Sequence, residues 1–160
     1  MKRKQLQTIA LLAVVATMLF TVTACKSSGM AVTSRGQVLN LNIAHPEDLP
    51  EQGVDNLDIT ISNMGVNNIQ DTLLEVELPP QLIVLDQTND RGVTVMHTPG
   101  SNMYRFTFGN IQPTERSTVR FRVRTAFGTL TETGSVRATA WQSGLPGDKL
   151  VETAVIRLRQ

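Results

Sequence analysis

The sequence predicts an all-β fold, an antiparallel β-sandwich of seven to nine strands. Three observations predict it. Apolar and polar residues alternate with period two from Gly36 onward, and turn residues break the alternation at short intervals. After the first 24 residues no stretch has convincing helical periodicity.

The runs follow in order. Val38, Leu39, Leu41 and Ile43 open the series, which closes at His45-Pro46. Leu57, Ile59 and Ile61 alternate with Asp58, Thr60 and Ser62, closing at Asn63-Met64-Gly65. Leu74, Val76 and Leu78 alternate with Glu75 and Glu77 and stop at Pro79-Pro80. A short run from Leu82 to Leu85 ends at Asp86, and Val93 and Val95 follow Gly92. Tyr104, Phe106 and Phe108 alternate with Arg105 and Thr107; Val119, Phe121 and Val123 alternate with Arg120, Arg122 and Arg124. Val136, Ala138 and Ala140 come next, then Val151 to Leu158. β-Branched residues fill these runs, which suits a pleated surface. Two packed sheets would bury one face of each strand and leave the other wet. Residues 36–160 are enough for one such core, without an internal repeat.

The first 24 residues have different physics. Lys2, Arg3 and Lys4 form a positive head, and Ile9 to Phe20 is a twelve-residue apolar run interrupted only by Thr17. A helix needs ~20 apolar residues to span a hydrocarbon core, so this run suits the h-region of a helical signal peptide rather than a membrane span. A buried core helix or short membrane anchor is the alternative. Val22-Thr23-Ala24-Cys25 resembles the lipobox of bacterial lipoproteins, in which small residues precede a cysteine. The resemblance implies thioether attachment of diacylglycerol to Cys25, cleavage between Ala24 and Cys25, and acylation of the new amino terminus. An ordinary secreted protein with a stray cysteine is the bland alternative. Cys25 is the only cysteine in the chain, and it stands where a lipobox needs it. With Cys25 lipidated, no thiol remains for a disulfide or a zinc site. Two or more acyl chains anchor stably, whereas one does so only marginally.

The expected organisation is a signal peptide over 1–24, a lipidated cysteine and polar tether over 25–35, and a sandwich over 36–160. All fourteen acidic residues follow Cys25 while three of the fifteen basic ones precede it, so the processed chain carries −2. The slight basicity belongs to the leader, and nucleic acid is not suggested as a partner.

Within the sandwich, Leu57 to Gly65 (LDITISNMG), Glu77 to Leu82 (ELPPQL) and Tyr104 to Val123 (YRFTFGNIQPTERSTVRFRV) resemble the conserved-repeat domain of bacterial surface proteins. That family is a domain of unknown function with an immunoglobulin-like sandwich. Gly134 to Ala140 and Asp148 to Ile156 match its last two strands loosely, so the likeness spans roughly 54–158. The resemblance implies an immunoglobulin-like fold and no catalytic residues. Gly65 and Gly109 suit turn positions with positive φ, and Pro79 and Pro113 stop strands. Thr114-Glu115 stands where the family has a glycine after the third motif's proline, and one copy is present instead of a tandem array.

Few residues invite chemistry. His45 and His97 are the only histidines, each without a partner at ligand spacing, and both suit solvated loops. Asp86 to Gly92 (DQTNDRG) partly resembles a calcium loop, but its twelfth position is His97, and a polar turn explains it better. No Gly-x-Ser-x-Gly or phosphate loop occurs. No metal or cofactor is therefore expected. Trp141 suits a core position better than an exposed binding one. Arg120, Arg122 and Arg124 share one strand face; ion pairs with Glu75 and Glu77 on a neighbouring run would explain them, and the functional alternative is a cationic stripe for anionic envelope polymers or lipid head groups.

The expected function is a non-enzymatic, membrane-anchored cell-envelope lipoprotein that binds or scaffolds a protein or polymer partner through a loop or sheet edge. A small envelope enzyme or calcium-dependent binder using Asp86, Asp90 and His97 is the alternative, as is a surface adhesin. Lys26 rather than Asp follows Cys25, which in two-membrane bacteria favours the outer membrane. Cys25→Ala is expected to abolish lipid labelling and to move the chain out of the acylated membrane fraction, read by palmitate incorporation and fractionation.

Overall fold

The computed structural model describes residues 24–32, 38–128 and 132–159. The expected helical signal peptide lies outside them, apart from Ala24. Eleven strands occur among the described residues, two more than the nine runs named above. They are β1 (Ala24–Val32), β2 (Val38–Pro46), β3 (Asp48–Pro50), β4 (Val54–Asn63), β5 (Ile69–Glu77), β6 (Leu82–Asn89), β7 (Thr94–His97), β8 (Met103–Ile111), β9 (Arg116–Thr125), β10 (Glu132–Gln142) and β11 (Leu150–Arg159).

They build two sheets. One has the order β1-β2-β4-β9-β6, the other β3-β11-β10-β5-β8-β7. All pairings are antiparallel except the short β3 against β11, so the second sheet is mixed. The alternation read from the sequence decides what each face does. In β4 and β9, Leu57 opposes Phe121 and Ile59 opposes Val119, all fully buried. From the other sheet, Leu74, Val76, Phe106, Val136, Ala138 and Ile156 face the same core. Phe106 of β8 meets Phe121 of β9 edge-on, with centroids 5.9 Å apart, and Tyr104 meets Phe121 at 5.0 Å. These ring contacts join the two sheets. Burial pushes the Tyr104 phenol above its ordinary range.

Two segments differ from expectation. Of the expected tether over 25–35, residues 33–35 lie outside the described residues, and those up to Val32 belong to an edge strand, paired with β2 from Ala24 opposite Pro46 to Val32 opposite Val38. Its sequence has no apolar alternation, so backbone pairing and close approach must define it. Gly29 shows how: a Cβ there would lie 2.5 Å from Glu152 Oε2 and 3.2 Å from Leu150 Cδ1. Glycine lets β1 lean on β11 and close that side of the sandwich. The second is β3, whose three residues carry too little pattern to be read. Asp48 is held to Arg157 at 2.9 Å and to Arg159 at 3.1 Å, and Arg157 also pairs with Glu47.

Asn63 closes the opposite end. Its side chain is fully buried and saturated: Nδ2 donates to Asn67 O (2.8 Å) and Ile111 O (3.0 Å), and Oδ1 accepts from Gly65 N (3.0 Å). Its backbone binds the 112–115 turn on both sides, through Glu115 O and Thr114 N. The Asn-x-Gly signature is therefore a hub that ties three segments together. Gly65 has no positive φ; its N–H, not its torsion, is what the turn uses. Gly109 does take φ 68°, at the edge of a bulge between β5 and β8. Asn63→Ala would orphan several buried partners and is expected to lower unfolding free energy by about 2–4 kcal/mol in chemical denaturation.

Candidate functional site

Period two fixes which side chains leave the core on the five-stranded sheet. On β9, Ser117, Val119, Phe121, Val123 and Thr125 are buried, so Arg116, Thr118, Arg120, Arg122 and Arg124 point outward. β4 contributes Val54, Asn56, Asp58, Thr60 and Ser62 to the same face, and β2 contributes Asn40, Asn42 and Ala44.

The strand register divides this face into three zones. In the middle, Asp58 sits opposite Arg120 and makes a bidentate pair, Nε to Oδ1 at 2.7 Å and Nη2 to Oδ2 at 2.6 Å. The hydrogen bond to Asp58, then its charge, hold the Arg120 guanidinium still further above its ordinary range. Being solvated, such a pair contributes under ~1 kcal/mol. Arg122 and Arg124 lie on one side of it, flanked by Asn56 and Asp86 and by Val54 and Ile83. Neither has an ion-pair partner among the described residues.

On the other side is a polar groove of about 380 Å³, lined by Asn40, Asn42, Thr60, Ser62, Met64, Thr114 and Arg116. Thr60 and Thr118 hydroxyls meet at 2.9 Å, while Asn40 donates to Gly29 O at 3.0 Å and accepts from Ser62 Oγ at 3.4 Å. Arg116 is the only charged lining residue and has no ion-pair partner among the described residues. A second depression is lined by Thr88, Asn89, Asp90, Thr118 and Arg120, and the Thr60–Thr118 hydroxyl contact stands between it and the groove. Amides and hydroxyls with one guanidinium can exchange hydrogen bonds and neutralise an anion. Among the described residues no histidine or carboxylate lines the groove to move a proton.

Thr114 is strained. Gln112-Pro113-Thr114-Glu115 is a turn closed by Glu115 N to Gln112 O at 3.1 Å, and Thr114 takes φ 64°. Proline followed by a positive-φ residue is the type II arrangement, in which glycine is the relaxed choice. The glycine missing from the sequence motif is missing at the one turn residue that needs it.

Several expected positions need correction. Glu75 and Glu77 do not pair with the arginine stripe, because β5 belongs to the other sheet; Glu75 binds Arg105 there at 2.6 Å. His45 is buried, not in a solvated loop, with Nδ1 on Pro46 O at 2.8 Å. His97 is exposed but lies in β7, stacked on Tyr104 at 4.1 Å. Asp86 and His97 therefore fall in different sheets, and the 86–97 segment does not bring its donors together. Asp90 spends both oxygens on β9, from Ser117 Oγ (2.6 Å) and Thr118 N (2.8 Å), and Asn89 binds Val93 N at 2.7 Å. Trp141, by contrast, is buried as expected, at 8 % exposure, on the side of β10 away from Val136 and Ala138 and with Lys149 Nζ 4.7 Å from its ring centre. Ala24 and Cys25 begin β1, opposite Pro46 and His45. The groove itself escaped sequence reading, since its polar residues become neighbours only through the order β2-β4-β9.

Solved structures share this architecture. The RrgA Jo.In complex aligns with TM-score 0.56 and 11 % identity over 82 % of this chain and 82 % of that one. AvmM, described as catalysing macrocyclization in alchivemycin A biosynthesis, aligns at 0.53 with 14 % identity over 78 % and 89 %. The third cohesin of ScaC from Acetivibrio cellulolyticus, solved with the ScaB dockerin, aligns at 0.50 with 12 % identity over 71 % and 97 %. What they share is an immunoglobulin-like sandwich. No protein-family model matches the chain, and no curated protein does.

Replacing Thr114 with glycine relieves about 1–3 kcal/mol of left-handed strain against a loss of roughly 0.5–1 kcal/mol in chain entropy. Thr114→Gly is accordingly expected to raise unfolding free energy by about 1 kcal/mol in denaturant titration.

Proposed function

We propose that the protein is a lipid-anchored cell-envelope lipoprotein whose sandwich is a non-catalytic binding module. The partner sits on the outer face of the five-stranded sheet, over the groove that ends at Arg116. It is a protein segment or envelope polymer that presents hydrogen-bonding groups and at least one carboxylate or phosphate. Anchoring rests on the lipobox-like Val22 to Cys25, and outer-membrane residence, where that membrane exists, rests on Lys26.

The observation that carries the binding reading is the Arg116 guanidinium, without an ion pair among the described residues, in a groove of amides and hydroxyls. Its carboxylate neighbour Glu115 is taken by Arg91, and a side chain with five donors and no ion pair is prepared for an external anion. Thr114 supports the same reading. Keeping a β-branched residue in a left-handed conformation is unfavourable, and its side chain lines that groove. Among proteins of like fold, the cohesin structure holds a dockerin, which suits a sandwich that works by taking a protein partner. A groove of this size is within the range of ligand sites, and its polarity suits a hydrated segment more than an apolar small molecule.

A photo-cross-linking residue placed at Thr60 of the acylated protein in intact cells tests the reading. The Thr60 position should yield a discrete adduct and a control at Ser135, on the other sheet, should not. Arg116→Ala should reduce the Thr60 adduct roughly tenfold, since a charge-assisted bond contributes ~1.5–3 kcal/mol. Equal adducts from both faces, or a yield indifferent to Arg116, would contradict it.

A further inference from the structure

The strand at the chain's start places the proposed lipid at one particular end of the sandwich, and we infer that this end rests on an anionic bilayer surface through Phe127, Val54, Ile83, Arg122 and Arg124. The inference builds on the anchoring at Cys25 proposed above.

Geometry comes first. An extended ten-residue tether would let the domain drift ~30 Å from its lipid. Here Cys25 already stands opposite His45, and the strand it begins is paired along its length to β2. A chain cleaved before Cys25 would therefore carry its lipid directly on the sheet, with no slack. The residues beside Cys25 decide what faces the membrane. β2 ends at Pro46, β4 begins at Val54, β6 begins at Leu82 and β9 ends at Thr125, so these termini share the Cys25 end.

The loops of that end are knitted together. Thr125 N donates to Gly53 O (3.2 Å), Ala126 N to Gln81 O (2.8 Å) and Gly128 N to Glu51 Oε1 (2.6 Å). Phe127 rides on this frame and is 83 % exposed, the most exposed aromatic side chain among the described residues. Just inside it, Val54 (46 % exposed), Arg124 and Ile83 (41 % exposed) lie side by side across β4, β9 and β6. Arg122 is the next outward residue along β9.

Charge points the same way. Glu47 and Asp48 are neutralised by Arg157 and Arg159; Glu51 and Asp55 accept backbone N–H groups and keep their charge, and Asp55 lies on the opposite side of β4 from Val54. Asp86 stands opposite Arg122, too far for an ion pair, and accepts from Gln87 N; Arg124 has only Val54 and Ile83 beside it, and neither arginine is ion-paired among the described residues. Exposed aromatic and aliphatic side chains beside unpaired guanidinium groups suit the boundary between acyl chains and phosphate head groups. The polar groove lies at the far end of the same face, so lipid contact leaves it open.

The test uses the processed, acylated protein in vesicles containing phosphatidylglycerol with brominated acyl chains. The wild type carries a single tryptophan, Trp141, covered on the other sheet, and serves as the internal control. Phe127→Trp should add emission that brominated lipid quenches, while wild-type emission should not change. The quenching should weaken in phosphatidylcholine vesicles, and in anionic vesicles when Arg122→Gln and Arg124→Gln are added. A protein that floats with the vesicles but shows no quenching at position 127 overturns the inference and leaves anchoring intact. Equal quenching in both lipids removes the guanidinium contribution. Protein that washes off the vesicles refutes the anchoring itself.

Discussion

The pairing of β4 with β9 is the constraint on which the rest of the molecule depends. These strands lie at the middle of the five-stranded sheet, and their inner residues Leu57, Ile59, Val119, Phe121 and Val123 are fully buried. Because side chains alternate with period two, a slip of one residue would turn Arg120, Arg122 and Arg124 into the core and expose Phe121. Burying three guanidinium groups without partners is prohibitive, so apolar burial on one side enforces the arginine ladder on the other. Core and candidate site are two faces of one register.

That register also explains why the arginines differ in role. Their sequence positions look equivalent, but Arg120 meets Asp58 while Arg122 meets Asn56 and Arg124 meets Val54. One cation is neutralised in place and its neighbours are left available. Arg116 stands apart, in a polar groove next to a turn whose threonine holds an unfavourable torsion. Among the described residues a single strand thus carries guanidinium groups without ion pairs toward both ends, separated by the Arg120–Asp58 pair.

Much of the fold was legible in the sequence because burial on one face leaves an alternating record. Leu57-Ile59-Ile61, Leu74-Val76 and Phe106-Phe108 are inward as their spacing requires; Asn63 ends β4, and β5 ends at Glu77, just before Pro79. β1 left no record: ACKSSGMAV is held by backbone pairing and by the space that Gly29 leaves for Glu152. Pairing between sheets was the other blind spot. Glu75 looked like a partner for the arginine stripe, but the chain crosses to the second sheet between β4 and β5. The groove needed three strands side by side before Asn40, Ser62 and Arg116 became neighbours. Alternation tells which side of a sheet a residue occupies, not which strand lies next to it.

Arginine-selective labelling of the acylated protein, in intact envelopes and after detergent extraction, tests the account most directly. Peptide mass mapping would read each guanidinium separately. Arg116, Arg122 and Arg124 are predicted to be shielded in the envelope and to react after extraction, while Arg137, outward on the other sheet, reacts equally in both. Shielding of Arg137 with free reaction at Arg116, Arg122 and Arg124 would contradict the assignment of the five-stranded sheet as the working face.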